Sequence, residues 1–221
     1  MLRGPCGAIV PRLPAAIALL LTAALLTPSS STMAQSGPLT VPPIPDPVPV
    51  TVDRSITALV IGDVDAAACP DLPACAVTQP IATLLAKARA AGTLVVFTTF
   101  SASRMPPTEN GPQPDETVLI RPSRGPAHRD LDEMLQAGNV GTIVLVGNSL
   151  QQFVLYGSYE LATRYGYTIV VPVDGTVGAD PYVTAASYYQ LLHQTSQGNP
   201  DNTPLQPGQV TLSRSDLVTF Q

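Results

Sequence analysis

Lysine occurs once in the 221 residues, at Lys87, and histidine twice, at His128 and His193. Cysteine occurs three times, and Cys6 precedes the first hydrophobic run. So few thiols and imidazoles cannot furnish the three or four converging ligands of a zinc centre, and neither a metal nor a cofactor is expected. Basic residues are outnumbered, 11 to 16, giving a formal net charge of −5. Without a local basic stripe such a surface repels a phosphate backbone, so nucleic acid is not an expected partner. Beyond the first residues no apolar run approaches the roughly 20 residues that cross a bilayer.

What the N-terminus does have is Arg3 and Arg12, an apolar run from Ala15 to Leu26, and small polar residues ending in "TMA" before Gln35. That is the layout of a secretory signal peptide over residues 1–34, with an uncleaved anchor as the alternative. The apolar run is short for a permanent span, and no cysteine stands near the cut to carry a lipid. Removing two arginines and no acid makes the remainder more acidic still. The expected location is extracytoplasmic, either secreted or periplasmic. Cys69 and Cys75 in "CPDLPAC" would then meet an oxidising compartment, where a disulfide can close their short proline-containing loop. A metal pair is the rival reading, and it lacks further ligands.

Residues 35–55, "QSGPLTVPPIPDPVPVTVDRS", are rich in proline and have no helical period. They suggest an extended arm or tether, or an arm that packs on a partner subunit. From residue 56 to 221 the pattern is regular. "ITALVIGDV", "TLVVFTTF", "TVLI", "GTIVLVG", "YTIVVPVD" and "QVTLS" are short, β-branched and apolar, as buried strands are. Between them "TQPIATLLAKARAAG", "HRDLDEMLQAG", "LQQFVLYGSYELATRYG" and "DPYVTAASYYQLLHQT" carry helical spacing with start and stop residues such as Asp180, Pro181 and Gly92. The alternation predicts an α/β fold of three layers, α/β/α, with a doubly wound, mostly parallel sheet. Ligands of such sheets sit at the carboxyl ends of the strands.

Candidate site residues gather at those ends. Asp63 closes "LVIGDVD", Arg121 closes "LIRPSR", and the turn "GNSLQQF" closes "GTIVLV". A carboxylate, a guanidinium and the backbone N–H groups of a helix start could hold a polar or anionic small molecule. Arg124 and Arg104 are further candidates for a substrate carboxylate, although exposed arginines are commonly only solvated. Ser149 with Gln152 forms "SLQQ", the spacing of a capping box, and no histidine motif stands ready to activate the serine. Asp65 could share the side of Asp63 or be an ordinary loop residue. Phe153, Gly157 and Leu161 fall on one helix face, so core packing is the default role of Phe153, with pocket lining as the alternative.

These pieces, in this order, resemble the isochorismatase-like hydrolase superfamily, the cysteine hydrolase family, over most of residues 56–215. "TALVIGDVD" resembles the strand that ends in the family's catalytic Asp. "VLIRPSRGPAHRDLDEML" lies where a strand ends in a catalytic Lys, and "GTIVLVGNSLQQFVLYGSYELATRYGYTIVVPVDGTV" resembles the strand, nucleophile turn and helix. The resemblance implies the same three-layer fold, a homo-oligomer in which the tyrosines at 156, 159, 165, 188 and 189 could form an interface, and a triad of Asp, Lys and Cys.

Only the Asp survives, as Asp63. Arg121 stands at the Lys position, and a guanidinium does not readily give up a proton. The Cys position falls on Phe153 counted from Gly147, or on Val154 counted back from Ala162 and Gly166, which implies one inserted residue. The thiol mechanism is therefore excluded. "FTTFSASR" lacks the Asp-x-His motif of the nicotinamidase branch. Two readings remain. One is an exported hydrolase using Asp63 as acid/base and Arg121 as partner on an amide, ester or vinyl ether. The other is a family member without catalysis that serves as an extracytoplasmic binding or structural protein.

Overall fold

Short runs of β-branched residues, buried on both faces, need partners on both sides, and here they line up in parallel. In the computed structural model the described residues are 43–64, 78–101, 110–121, 128–193 and 198–221, all within a unit spanning 40–221. The strands are β1 (Val50–Val52), β2 (Thr57–Gly62), β3 (Leu94–Thr99), β4 (Thr117–Ile120), β5 (Thr142–Asn148), β6 (Thr168–Pro172), β7 (Thr176–Val177), β8 (Val210–Ser213) and β9 (Val218–Phe220). The helices are α1 (Thr78–Ala91), α2 (His128–Ala137), α3 (Leu155–Thr163) and α4 (Pro181–His193), with a π-helical turn over Leu150–Val154 before α3. The main sheet runs β4-β3-β2-β5-β6-β8, with β7 added to the end of β5.

Every pairing in the main sheet is parallel. The chain leaves β2 through β3 to β4, then returns to the other side of β2 as β5. The winding direction therefore reverses between β2 and β5, and a crevice opens at their carboxyl ends.

Alternation along β2 explains the two cores. Ala58 and Val60 face one cluster with Leu131 and Leu135 of α2, Leu161 of α3 and Leu191 of α4. Leu59 and Ile61 face the other, with Ile81, Leu84, Leu85 and Ala88 of α1 and Val50, Val52 and Val218 of β1 and β9. Fully burying a side chain of this size stabilises by about 1.5–3 kcal/mol, so these positions dominate the fold. The expected three-layer, doubly wound α/β architecture is what is found.

Four details differ from expectation. The arm does not remain free up to residue 55, because β1 pairs in parallel with β9, a C-terminal strand that the pattern did not reveal. The helix after β5 does not begin as an α-helix: Val154 N–H reaches the Ser149 carbonyl at 3.2 Å, five residues back. A π turn holds one residue more than an α turn, the size of the insertion that the two sequence counts suggested. Tyr188 is buried rather than displayed, and its hydroxyl donates to the Val173 carbonyl at 2.9 Å. Burial pushes that phenol up to about 12. Tyr165 packs partly buried against the core, whereas Tyr156, Tyr159 and Tyr189 are exposed. Among the described residues no helix is long and apolar enough to cross a membrane.

Candidate active site

Two glycines set the floor of the crevice. Gly62 and Gly147 are register partners at the ends of β2 and β5. Gly147 has φ +132°, and a Cβ there would lie 1.9 Å from the Gly62 carbonyl oxygen, so neither the backbone angle nor the space admits a side chain.

One residue past β2, Asp63 adopts a left-handed φ of 50°, a region that Asp tolerates better than most residues. Its N–H donates to the Thr98 carbonyl at 3.0 Å, which keeps the chain attached to β3 as it turns. Arg121 follows β4, and its N–H donates to the Thr99 carbonyl at 2.7 Å. Strand alternation puts Arg121 on the same side as Leu119, which packs on the core cluster containing Phe153. The Arg121 guanidinium therefore lies over the sheet ends, only 1% exposed, and its Nη2 donates to Asp63 Oδ2. A buried guanidinium needs an opposite charge. Removing one member of such a pair costs about 3–5 kcal/mol, whatever the pair's own net contribution.

Phe153 fills the space between these groups and β2. Its side chain is buried, and a Cβ built on Gly62 would meet its ring carbons at 2.0, 2.2 and 2.4 Å. The ring centroid lies 5.2 Å from Arg121 Cζ, within cation–π range. At Phe153, one of the two positions at which the sequence resemblance would place a thiol, there is thus an aromatic ring, seated on a glycine and facing a guanidinium. Its core-packing role is met, together with the burial of Gly157 and Leu161 on the same helix face.

The turn itself departs from the capping-box expectation. Ser149 is the residue before the π turn, but its side chain makes no capping hydrogen bond. Its carbonyl instead accepts from the N–H groups of Gln152, at 3.3 Å, and Val154, at 3.2 Å. Those two N–H groups are therefore spent inside the turn and do not line an anion site. Gln152 is exposed, so it does not join Asp63 and Arg121 in the interior. The Asn148–Ser149 peptide is cis.

Two residues were not singled out from sequence. Thr98 pairs in register with Gly62, so it lies beside the ring, and its buried Oγ1 has no hydrogen-bond partner. Gln151, within the π turn, has a buried Oε1 with none either. The only signals were the doubled Thr of "FTTF" and the doubled Gln of "LQQF". Asp174, two residues past β6, binds Ser215 through both oxygens, at 2.8 Å to the N–H and 2.6 Å to the hydroxyl. It fastens the C-terminal turn. Asp65, Cys69, Cys75, Arg104 and Arg124 lie outside the described residues, as does the segment 1–34.

An α/β/α sheet with its polar groups at the carboxyl ends of β2, β4 and β5 has the architecture of a hydrolase family. The family model for the isochorismatase domain matches residues 57–197, well over half of the chain, and the protein belongs to that family. Solved structures agree on the fold. An isochorismatase family protein from Burkholderia thailandensis has a TM-score of 0.57 at 20% identity, covering 77% of this chain and 96% of that one. A cysteine hydrolase from Pseudomonas syringae pv. phaseolicola has a TM-score of 0.59 at 16% identity, covering 80% and 95%. An N-carbamoylsarcosine amidase from Thermoplasma acidophilum has a TM-score of 0.57 at 19% identity, covering 72% and 96%. No functionally curated protein matches the sequence.

Proposed function

We propose that this protein is an extracytoplasmic hydrolase of a small polar or carboxylated molecule that works without a covalent thiol intermediate. The observation that carries this reading is the direct pairing of Asp63 with Arg121 at the strand ends, beside the switch between β2 and β5. In an amide or ester substrate, Asp63 takes a proton from water as the water oxygen bonds to the carbonyl carbon. The C–N or C–O bond then breaks, and the proton passes to the leaving group. Arg121 holds Asp63 in place and offers a guanidinium to a substrate carboxylate or developing oxyanion. In a vinyl ether, a protonated Asp63 delivers its proton to the vinyl carbon, water adds to the oxygen-bearing carbon and returns a proton to Asp63, and the hemiketal breaks its C–O bond to give a carbonyl product and an alcohol. Phe153 has no lone pair to offer and serves as an apolar wall.

The expected location follows from the leader at residues 1–34, with Cys69 and Cys75 bridged after export and the chain assembled as a homo-oligomer. Cell fractionation, thiol counting before and after reduction, and light scattering test those three statements separately.

A second reading is favoured by one observation: Phe153 occupies the space over Gly62 where a reacting group would otherwise sit. Under it the protein binds without turnover. The deciding experiment is a screen of purified mature protein against small amides, esters and vinyl ethers bearing a carboxylate, repeated with Asp63→Asn. The hydrolase reading expects turnover that falls about 10²–10⁴-fold in the variant, as for loss of a general acid or base. Turnover unaffected by Asp63→Asn, or none on any member of the panel, would sink it.

A further inference from the structure

The proline-rich arm has a period of two. Pro43, Pro45, Pro47 and Pro49 alternate with Ile44, Asp46, Val48 and Val50. In an extended chain, the N–H and C=O of one residue point to one side and those of the next to the other. The arm's backbone bonds to the rest of the domain, among the described residues, use the even side. The Asp46 carbonyl accepts from Asn202 Nδ2 at 3.0 Å, and Val48 N–H donates to the Leu212 carbonyl at 3.0 Å. The Val48 carbonyl accepts from the Ser213 hydroxyl at 2.7 Å, and Val50 N–H donates to the Leu217 carbonyl at 3.0 Å. The odd side, opposite these bonds, is proline at every position from 43 to 49, and proline has no N–H.

The strand beneath explains what this arrangement does. β8 ends the main sheet, so its outer side would present free ladder groups. Three of those groups are already taken. The Val210 carbonyl accepts from Asn199 Nδ2 at 2.9 Å. The Leu212 N–H donates to Asn202 Oδ1 at 2.7 Å, and its carbonyl accepts from Asn202 Nδ2 at 2.9 Å as well as from Val48. Ile44 packs on one core cluster and Val48 on the other, so the arm crosses the sheet edge rather than lying on one face.

We propose that residues 43–49 are an edge guard: Val48 on β8 and Asp46 on Asn202 hold the arm along the sheet edge, and the odd prolines deny a donor row to any strand that would add outside them. An exposed edge is a template for pairing with a second copy, and a row of prolines removes half the bonds such pairing needs. Neither a spacer nor an arm for a partner subunit requires this alternation, because both leave the outward residues unconstrained.

The test compares the mature protein with the triple variant Pro45→Thr, Pro47→Thr, Pro49→Thr and with Val48→Pro. The triple variant is expected to keep the parent far-ultraviolet spectrum but to form concentration-dependent, open-ended assemblies with an intermolecular β-sheet infrared band. Val48→Pro loses the inward bond, so it is expected to lower the melting temperature and speed amide exchange at Leu212 and Val50. If the triple variant misfolds, Pro47→Thr alone is measured for the same association. The proposal is overturned if the folded outward variants keep the parent's oligomeric state across the concentration series. It is equally overturned if the Val48 and Val50 amides of the parent exchange as fast as those of an unstructured chain.

Discussion

Gly62→Ala tests the packing of the site through the sign of its effect. The backbone at Gly62 is not in the left-handed region, so alanine costs nothing in φ. If the space above were open, the substitution would stabilise by about 0.4–1 kcal/mol through the lower entropy of the unfolded chain. Instead the new methyl would sit 2.0 Å from a ring carbon of Phe153. The ring would have to withdraw by roughly 1.5 Å to reach ordinary contact, inside a core that has little room to give. Overpacking of this kind costs about 1–3 kcal/mol, a fall in melting temperature of roughly 2–12 °C for a domain of this size.

The cause can be isolated with a cycle. Phe153→Ala alone is expected to cost about 3–5 kcal/mol as a cavity in the core. In that background Gly62→Ala should be neutral or stabilising, because its methyl enters the vacated space. Urea unfolding of the parent, both single variants and the double variant gives the coupling directly. A Gly62→Ala protein as stable as the parent, or a double variant showing simple additivity, would refute the placement of the ring over Gly62.

Other expectations follow from single groups. Lys87 Nζ donates to the carbonyls of Ser215, Asp216 and Val218, at 2.8, 3.2 and 2.9 Å, so Lys87→Met should cost about 1.5–3 kcal/mol and accelerate exchange in β9 before the rest of the sheet. Uniform exchange across the domain would contradict that. For Glu116, burial raises the carboxyl's proton affinity, but the Arg89 and Gln113 hydrogen bonds outweigh it and hold the pKa below its ordinary 4.5. A folded-state pKa below the unfolded one adds stability that is present above about pH 4.5 and lost as pH falls. Urea midpoints measured from pH 7 to pH 3 should therefore decline less steeply in Glu116→Gln, and parallel curves would refute the assignment. Iodoacetamide should leave any turnover intact, since the reading uses no thiol; inactivation that tracks alkylation would overturn it.

Much of this was legible in the chain. Each strand of the main sheet except the two-residue β7 follows from a run such as "ITALVIG" or "GTIVLV"; apart from the half-exposed edge strand β4, these are buried on both faces and leave no polar alternation to confuse the pattern. Asp180 before Pro181 marks the start of α4, where its Oδ1 accepts from Val183 N–H at 2.8 Å. The extra residue near Phe153 was visible as a disagreement between two counts. By contrast β1 and β9 are three residues each, too short for any periodicity, and each exists because the other is beside it. The capping box at Ser149 failed because local spacing cannot show that the following turn is π rather than α, which redirects the N–H groups onto a backbone carbonyl.

The sequence by itself determined the layer architecture and the family. These depend on which residue types are present and at what spacing. Only the tertiary structure decided that Arg121 pairs with Asp63, that Phe153 rests on Gly62, and that Val48 of the proline arm bonds to β8. Those contacts join segments 58, 91 and more than 150 residues apart. They are set by the order in which parallel strands are laid side by side, which no local pattern encodes.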